Sequence, residues 1–186
     1  RTRESIRNIP IVVATTENDF ETEKRCLELG VWDFIPKVFR PEIIRFRVLN
    51  TIKRSMAHSL EHDGLTGLYT IQKFSQCVKR NLENHQDTKF TFVRLDIERF
   101  KMINNFYGVE AGDRLLIYFS GLIEKYWQGA ENSVFGRIDG DIFGICFPKD
   151  EEKLNDFILY MKQELKKYQA AYYLEPAMGI YDILDH

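Results

Sequence analysis

Two aspartates, Asp96 and Asp141, stand where the chain can bring a pair of carboxylates together. Asp96 ends an apolar-rich run that begins at Phe90. Asp141 follows Asp139-Gly140, a dipeptide that marks a tight turn between two apolar runs. Both residues of that dipeptide are expected at positive φ, as a type I′ hairpin requires. With Asp141 starting the second hairpin strand and that strand beside the Asp96 run, the two carboxylates meet at one sheet edge. Two carboxylates with backbone oxygens make a hard-cation site of the kind Mg²⁺ shares with substrate phosphates. Arg99, Phe100 and Lys101 come next, where the chain turns into a helix. Amides at a helix start beside a lysine suit a polyphosphate. Asn104 and Asp113 offer an amide and a carboxylate suited to a purine edge, guanine in particular. The same residue types serve as well in plain structural roles: a strand-end aspartate on a turn, an Asn-rich loop, a solvated lysine.

The elements that must position these groups follow from spacing. Ile11–Ala14 is a short β-branched strand, and Asn18 or Asp19 can cap a helix that stops at Gly30. Val31–Pro36 is a second strand. Pro41 suits the first position of a long helix whose apolar residues Ile44, Val48, Leu49, Ile52, Met56 and Leu60 fall at helical spacing. The later ones approach a coiled-coil rhythm. This strand–helix–strand–helix unit has too few strands to close a sheet and reads as the last part of a larger α/β domain. From His62 the character changes. A turn at Asp63–Leu68 precedes a helix from about Ile71 to Leu82. Phe90–Ile97 is a strand, Phe100–Phe106 a short helix broken by Gly108, and Glu110–Trp127 an amphipathic helix. The hairpin strands lie near Ser133–Ile138 and Asp141–Phe147. Asp150 caps a helix whose Glu151, Glu152, Lys166 and Lys167 complement its dipole. Ala171–Ile180 is a last strand.

Composition narrows the classes. At 186 residues the chain holds one domain, or one and a piece. A formal charge of −2 gives no bulk attraction to nucleic acid or an anionic membrane. No apolar run is long enough to span a bilayer, and nothing reads as a signal peptide. Cys26, Cys77 and Cys146 are widely spaced among apolar neighbours, as expected of reduced cytoplasmic thiols. The four histidines show no metal-ligand spacing.

Three stretches, D-G-L-T-G-L-Y from Asp63, R-L-D-I-E-R-F-K-M-I-N-N-F-Y-G-V-E-A-G-D from Arg94 and G-R-I-D-G-D-I-F from Gly136, resemble in this order a GGDEF domain, the diguanylate cyclase family of bacterial cyclic di-GMP signalling. The resemblance covers residues 62–186, without the family's basic C-terminal helix. It implies an α/β (α+β) fold with a central, mostly antiparallel sheet flanked by helices, similar to the palm of nucleotide cyclases. It also implies GTP as ligand, Mg²⁺ as cofactor and two domains meeting face to face. Residue by residue, Asp96, the Ile97 carbonyl and Asp141 would hold metal, with Asp141 the candidate catalytic base. Phe100 and Lys101 would face the phosphates, Asn104 and Asp113 would contact guanine, and Asp139 and Gly140 would lie along the nucleotide. Residues 1–57 resemble the second half of a response-regulator receiver domain ending in a linker helix. There Thr15 matches the switch threonine and Lys37 the phosphate-sensing lysine, with Val38 in place of the usual proline. The phosphoacceptor aspartate would precede residue 1.

The departures carry their own expectation. Asp139 replaces the first glycine of the signature and Ile142 its glutamate. Thr70-Ile71 stand for Asn-Arg, Asn105 for an aspartate and Val109 for a histidine. The R-x-x-D product-inhibition motif would fall on Ala130 and Ser133. The expected function is a degenerate GGDEF domain without significant cyclase activity. It would act as a GTP-binding or regulatory module that self-associates through the domain or the linker helix and signals to a downstream effector such as an EAL phosphodiesterase. A slow Mg²⁺-dependent cyclase and a nucleotide-free docking scaffold are the alternatives.

Overall fold

The computed structural model describes residues 9–16, 19–38, 40–168 and 174–183, and the chain divides into two units, residues 1–60 and 61–186. In the first, β1 (Val12–Thr15) and β2 (Asp33–Pro36) pair in parallel, joined by α1 (Phe20–Glu28) and followed by α2 (Pro41–Glu61). Asp19 caps α1, its side chain accepting from the Thr22 N–H at 2.8 Å; Asn18 lies outside the described residues. A parallel pair needs such a crossover, which is why the segment reads β-α-β. The Lys37 N–H donates to the Thr15 carbonyl at 2.7 Å, so these two residues are neighbours at the C-terminal ends of the two strands. Along α2, Ile44 and Val48 are half-buried, whereas Leu49, Ile52, Met56 and Leu60 are exposed. Arg47 Nε reaches Asp33 Oδ2 at 2.9 Å and ties α2 to β2.

The second unit is a three-layer arrangement. Its elements are α3 (Ile71–Asn84), β3 (Phe90–Ile97), α4 (Phe100–Tyr107), α5 (Val109–Trp127), β4 (Val134–Asp139), β5 (Ile142–Pro148), α6 (Glu151–Lys167) and β6 (Pro176–Ile183). The sheet order is β4-β5-β3-β6, every neighbour antiparallel. From Thr91 on, β3 alternates: Thr91, Val93, Leu95 and Ile97 are buried, while Phe92, Arg94 and Asp96 are half-buried on the other face. Val93, Leu95, Phe143, Ile145 and Phe147 pack against α5 and α6 through Leu115, Phe119, Ile123, Phe157 and Met161, the main core. Each such side chain contributes about 1.5–3 kcal/mol when fully buried. The opposite face packs on α3, where Phe74 and Cys77 meet Phe90, Val134 and Cys146.

Several element boundaries differ from the expectation, most by one or two residues. α3 continues two residues beyond Leu82, to Asn84. The last strand is Pro176–Ile183 rather than Ala171–Ile180, with residues 171–173 outside the described residues. Cys77 and Cys146 are buried free thiols and Cys26 is half-buried; burial pushes the Cys146 thiol up to about 12.

Candidate nucleotide and metal site

The hairpin is built one residue out of phase with its sequence signal. Gly136 lies opposite Gly144 and Arg137 opposite Phe143, but Asp139 lies opposite Ile142, so Ile138 has no partner and forms a bulge. Asp139 is thereby the last residue of β4, and the turn pair is Gly140-Asp141. Of the two, Gly140 has a positive φ, 46°, and Asp141 does not. Glycine at the first central position is the type II′ pattern rather than I′. Asp141 thus sits in the turn and does not begin β5.

Arg137 fixes this tip. Its Nε donates to the Gly140 carbonyl at 2.8 Å and its Nη1 to Asp63 Oδ1 at 2.9 Å. Asp63 also accepts from the Thr66 amide at 2.8 Å and the Thr66 hydroxyl at 2.7 Å. Burial raises the Asp63 pKa, but Thr66 and then Arg137 outweigh it and hold the carboxyl below its ordinary value. The turn after α2 and the hairpin 74 residues later are therefore one assembly.

β3 and β5 are neighbours, as the sequence reading required, and Asp96 lies opposite Ile142 on β5 and Ala177 on β6. Asp141 directly precedes Ile142, so Asp96 and Asp141 lie at the same end of the paired strands. Asp141 is pushed up, first by burial and then by Asp96, while the Lys101 ammonium opposes both. Asp96 Oδ2 also accepts from Arg94 Nη2 at 3.2 Å. Two half-buried carboxyls at one end of β3 and β5, with the Ile97 carbonyl the one oxygen its buried residue can add, offer an all-oxygen donor set. That set fits a hard divalent cation completed by phosphate and water. Among the described residues no group of three His, Cys, Asp or Glu side chains has metal-site geometry, so a cation placed here would take its remaining ligands from phosphate and water.

Arg99 precedes α4 in the left-handed region, φ 59°, and no side chain caps the helix. Lys101 is exposed in the first turn, and an uncapped helix start beside a lysine suits an anion. Phe100 instead packs toward the core, so only its backbone is available to phosphate. Asn104, on α4, lies against the start of α5: a Cβ placed on Gly112 would fall 1.9 Å from Asn104 Oδ1. That oxygen is buried without a hydrogen-bond partner in the structure. Asp113, half-buried, follows Gly112 directly. Gly108, at φ 84°, makes the corner between the two helices. Of the nucleotide-site residues read from sequence, one group gathers at the β3–β5 edge: Asp96, Ile97, Asp141 and Lys101, beside Asp139 and Gly140. Asn104 and the neighbour of Asp113 meet at the α4–α5 corner.

Sequence reading missed Arg94, Arg137 and Asp63 as members of this assembly. Strand alternation places Arg94 and Asp96 on one face, a signal present but unused. The Asp63–Thr66 turn was legible, whereas its arginine partner was not.

Residues 60–181 match the family model described as "Diguanylate cyclase, GGDEF domain". The chain is 31% identical over 97 residues, 51% of its length, to the probable diguanylate cyclase DgcE of Escherichia coli K12, and 29% identical over 110 residues, 58% of its length, to the probable diguanylate cyclase DgcF of that strain. It spans 9% and 34% of those relatives. Among solved structures, the coiled coil and GGDEF domain of DgcB from Caulobacter crescentus, in complex with c-di-GMP, superposes with a TM-score of 0.67 at 18% identity. That match covers 77% of this chain and 80% of that one, and it shows a shared fold. With the family model spanning the whole of the carboxylate edge and the α4–α5 corner, the chain belongs to the GGDEF, diguanylate cyclase domain, family.

Proposed function

We propose that this chain is a cyclic di-GMP signalling module whose degenerate GGDEF domain binds GTP without turning it over, as the regulatory domain of a response regulator. The observation that carries the reading is the position of Ile142. It lies directly opposite Asp96, so the edge that must neutralise a triphosphate has an aliphatic side chain where the signature has a carboxylate. Asp139 adds a charge on the exposed tip beside it. The α4–α5 corner keeps Asn104, Gly112 and Asp113 together, with an unpaired buried acceptor available to a base.

Mg²⁺, when bound, supplies charge neutralisation for the phosphates, with Asp96, Asp141 and the Ile97 carbonyl to hold it. Lys101 and the uncapped start of α4 receive phosphate oxygens. The apposition of Thr15 and Lys37 at the ends of parallel strands supports the receiver reading of the first unit. The exposed Leu49, Ile52, Met56 and Leu60 on α2 support self-association through the linker helix, with an effector such as an EAL phosphodiesterase downstream. No helix of the described residues is long and apolar enough to cross a membrane, and we place the module in the cytoplasm.

Calorimetric titration with GTP and Mg²⁺, followed by product analysis, tests the reading. Guanine-selective, metal-dependent binding without cyclic di-GMP is expected. Product at enzyme-like rates overturns it in favour of a cyclase, and absent binding leaves a docking scaffold. The placement of Asp96 opposite Ile142, next to Asp141, is the observation that favours the slow-cyclase alternative. In that case Asp141→Ala abolishes turnover and Ile142→Glu raises it.

A further inference from the structure

The β3–β5 edge carries a cation of its own. Arg94 lies opposite Gly144 on β5 and Gly179 on β6, and Gly144 lies opposite Gly136 on β4. Residues directly opposite one another share a sheet face. One transverse row of the four-stranded sheet is therefore Gly136, Gly144, Arg94, Gly179, and Arg94 supplies its only side chain. A Cβ on Gly144 would meet Ile138 and Phe92, and one on Gly179 would meet Tyr181. The bare backbone on both sides lets those side chains fold over the row. On the side toward β3's start Phe92 stacks with Tyr181, ring centroids 6.2 Å apart. On the other side Arg94 Nη2 reaches Asp96 Oδ2.

We propose that Arg94 is a tethered counter-ion of the nucleotide site, holding Asp96 when no divalent cation does and releasing it when one binds. The proposal rests on reading Asp96 and Asp141 as the cation-holding pair. Its charge logic is local. The two carboxyls face two side-chain cations, Arg94 on Asp96 and Lys101 near Asp141, so the edge is already neutralised in the absence of metal and nucleotide. A divalent ion arriving alone meets a guanidinium on one of its ligands. Metal arriving with a tetra-anionic nucleotide does not carry that penalty, because the freed guanidinium and Lys101 face added negative charge. The Arg94–Asp96 pair suits exchange rather than permanent bracing: its side chains are 43% and 31% exposed, a setting in which an ion pair adds little to stability. The consequence is a site that takes metal and nucleotide together and metal alone poorly.

The test is Mn²⁺ titration of the full chain without nucleotide, followed by electron paramagnetic resonance of free Mn²⁺. Arg94→Met should bind Mn²⁺ about fivefold tighter than the unsubstituted chain, the scale of an exposed charge pair. Arg94→Gln should give the same tightening, which keeps the test decisive if the methionine variant fails to fold. Arg94→Lys should restore the weak binding, because the charge remains. Asp96→Asn in the Arg94→Met background should remove the gain. Unchanged or weaker binding in both neutral variants overturns the proposal, as does a gain that survives Asp96→Asn. Failure of GTP binding in the separate calorimetric titration would sink the nucleotide reading while leaving the Mn²⁺ result standing, so the two ideas fail by different measurements.

Discussion

The α4–α5 corner and the β4–β5 hairpin face the same nucleotide reading with opposite histories. At the corner, a glycine without room for a methyl group holds Asn104 against α5, and its amide oxygen stays buried without a partner. An unsatisfied buried acceptor costs about 1–3 kcal/mol. It is tolerated where a ligand donor restores the bond. At the hairpin, the scaffold is kept: the bulge, the glycine at positive φ, and Arg137 binding the tip to the Asp63 turn. What changed is what the scaffold displays, a carboxylate at 139 and a methyl-bearing side chain at 142. Recognition and chemistry therefore separate in space. On the proposed reading, the end that would read a base is pre-formed, and the end that would activate a phosphate carries isoleucine opposite Asp96 in place of a carboxylate.

The contrast can be broken at several points. The largest effect is expected at the contact that holds the hairpin tip to the Asp63 turn. Arg137→Ala removes the donor to both Asp63 and Gly140 and leaves a half-buried carboxyl with one partner fewer, at a cost of about 2–3 kcal/mol. Urea unfolding measures it. Asp63 has its folded-state pKa depressed, so its stabilisation is fully present above the unfolded value and is lost as pH falls through the folded one. The substituted chain should therefore lose less stability than the parent between about pH 4 and the lower folded-state value. An unchanged midpoint at neutral pH would mean the tip is held some other way.

Next is Gly112→Ala. The added Cβ would stand 1.9 Å from Asn104 Oδ1, so the amide must swing out. If that amide reads guanine, GTP affinity falls about 30-fold, the scale of a lost hydrogen-bond pair. Binding of Mn²⁺ at the hairpin edge stays the same. Equal losses for both ligands would collapse the division between the two ends. Ile142→Glu works from the other side. It places a third carboxylate opposite Asp96 and should tighten Mn²⁺ about tenfold while leaving guanine selectivity over adenine unchanged, as read by competition titration.

Much of this arrangement is legible in the sequence. Helices capped by Asp19 and Asp150, the Gly108 break and the alternation of β3 follow from local rules. The phase of the hairpin did not, because a D-G signal assumes that each strand residue has one partner. The unpaired Ile138 moves the turn forward by one residue, and a bulge leaves no mark in a sequence that alternates on both sides of it. The convergence of Asp96 with Asp141 depended on β3 and β5 being neighbours, a non-local fact. The Arg137–Asp63 bond crosses 74 residues and has no periodic trace. Phe100 is carried to the phosphates by the motif resemblance; its ring packs against the core, which leaves its backbone for that role.

The smallest expected effect is the most diagnostic of how the hairpin departs from its family. Asp139→Gly removes one negative charge from an exposed tip residue while Arg137, Gly140 and the Ile142 pairing persist. A like charge about 4 Å from a phosphate costs roughly 1 kcal/mol in water and about 4 at a surface-like dielectric. The exposure of Asp139 puts it near the lower figure, so GTP should bind about fivefold tighter in the presence of Mg²⁺. The gain should shrink as salt rises, because an exposed charge is screened within a Debye length. A gain that ignores salt would point to bare backbone at 139 as the missing element. A loss of affinity would mean that Asp139 holds the metal, which would make the replaced glycine a change of ligand and not the erosion of a site.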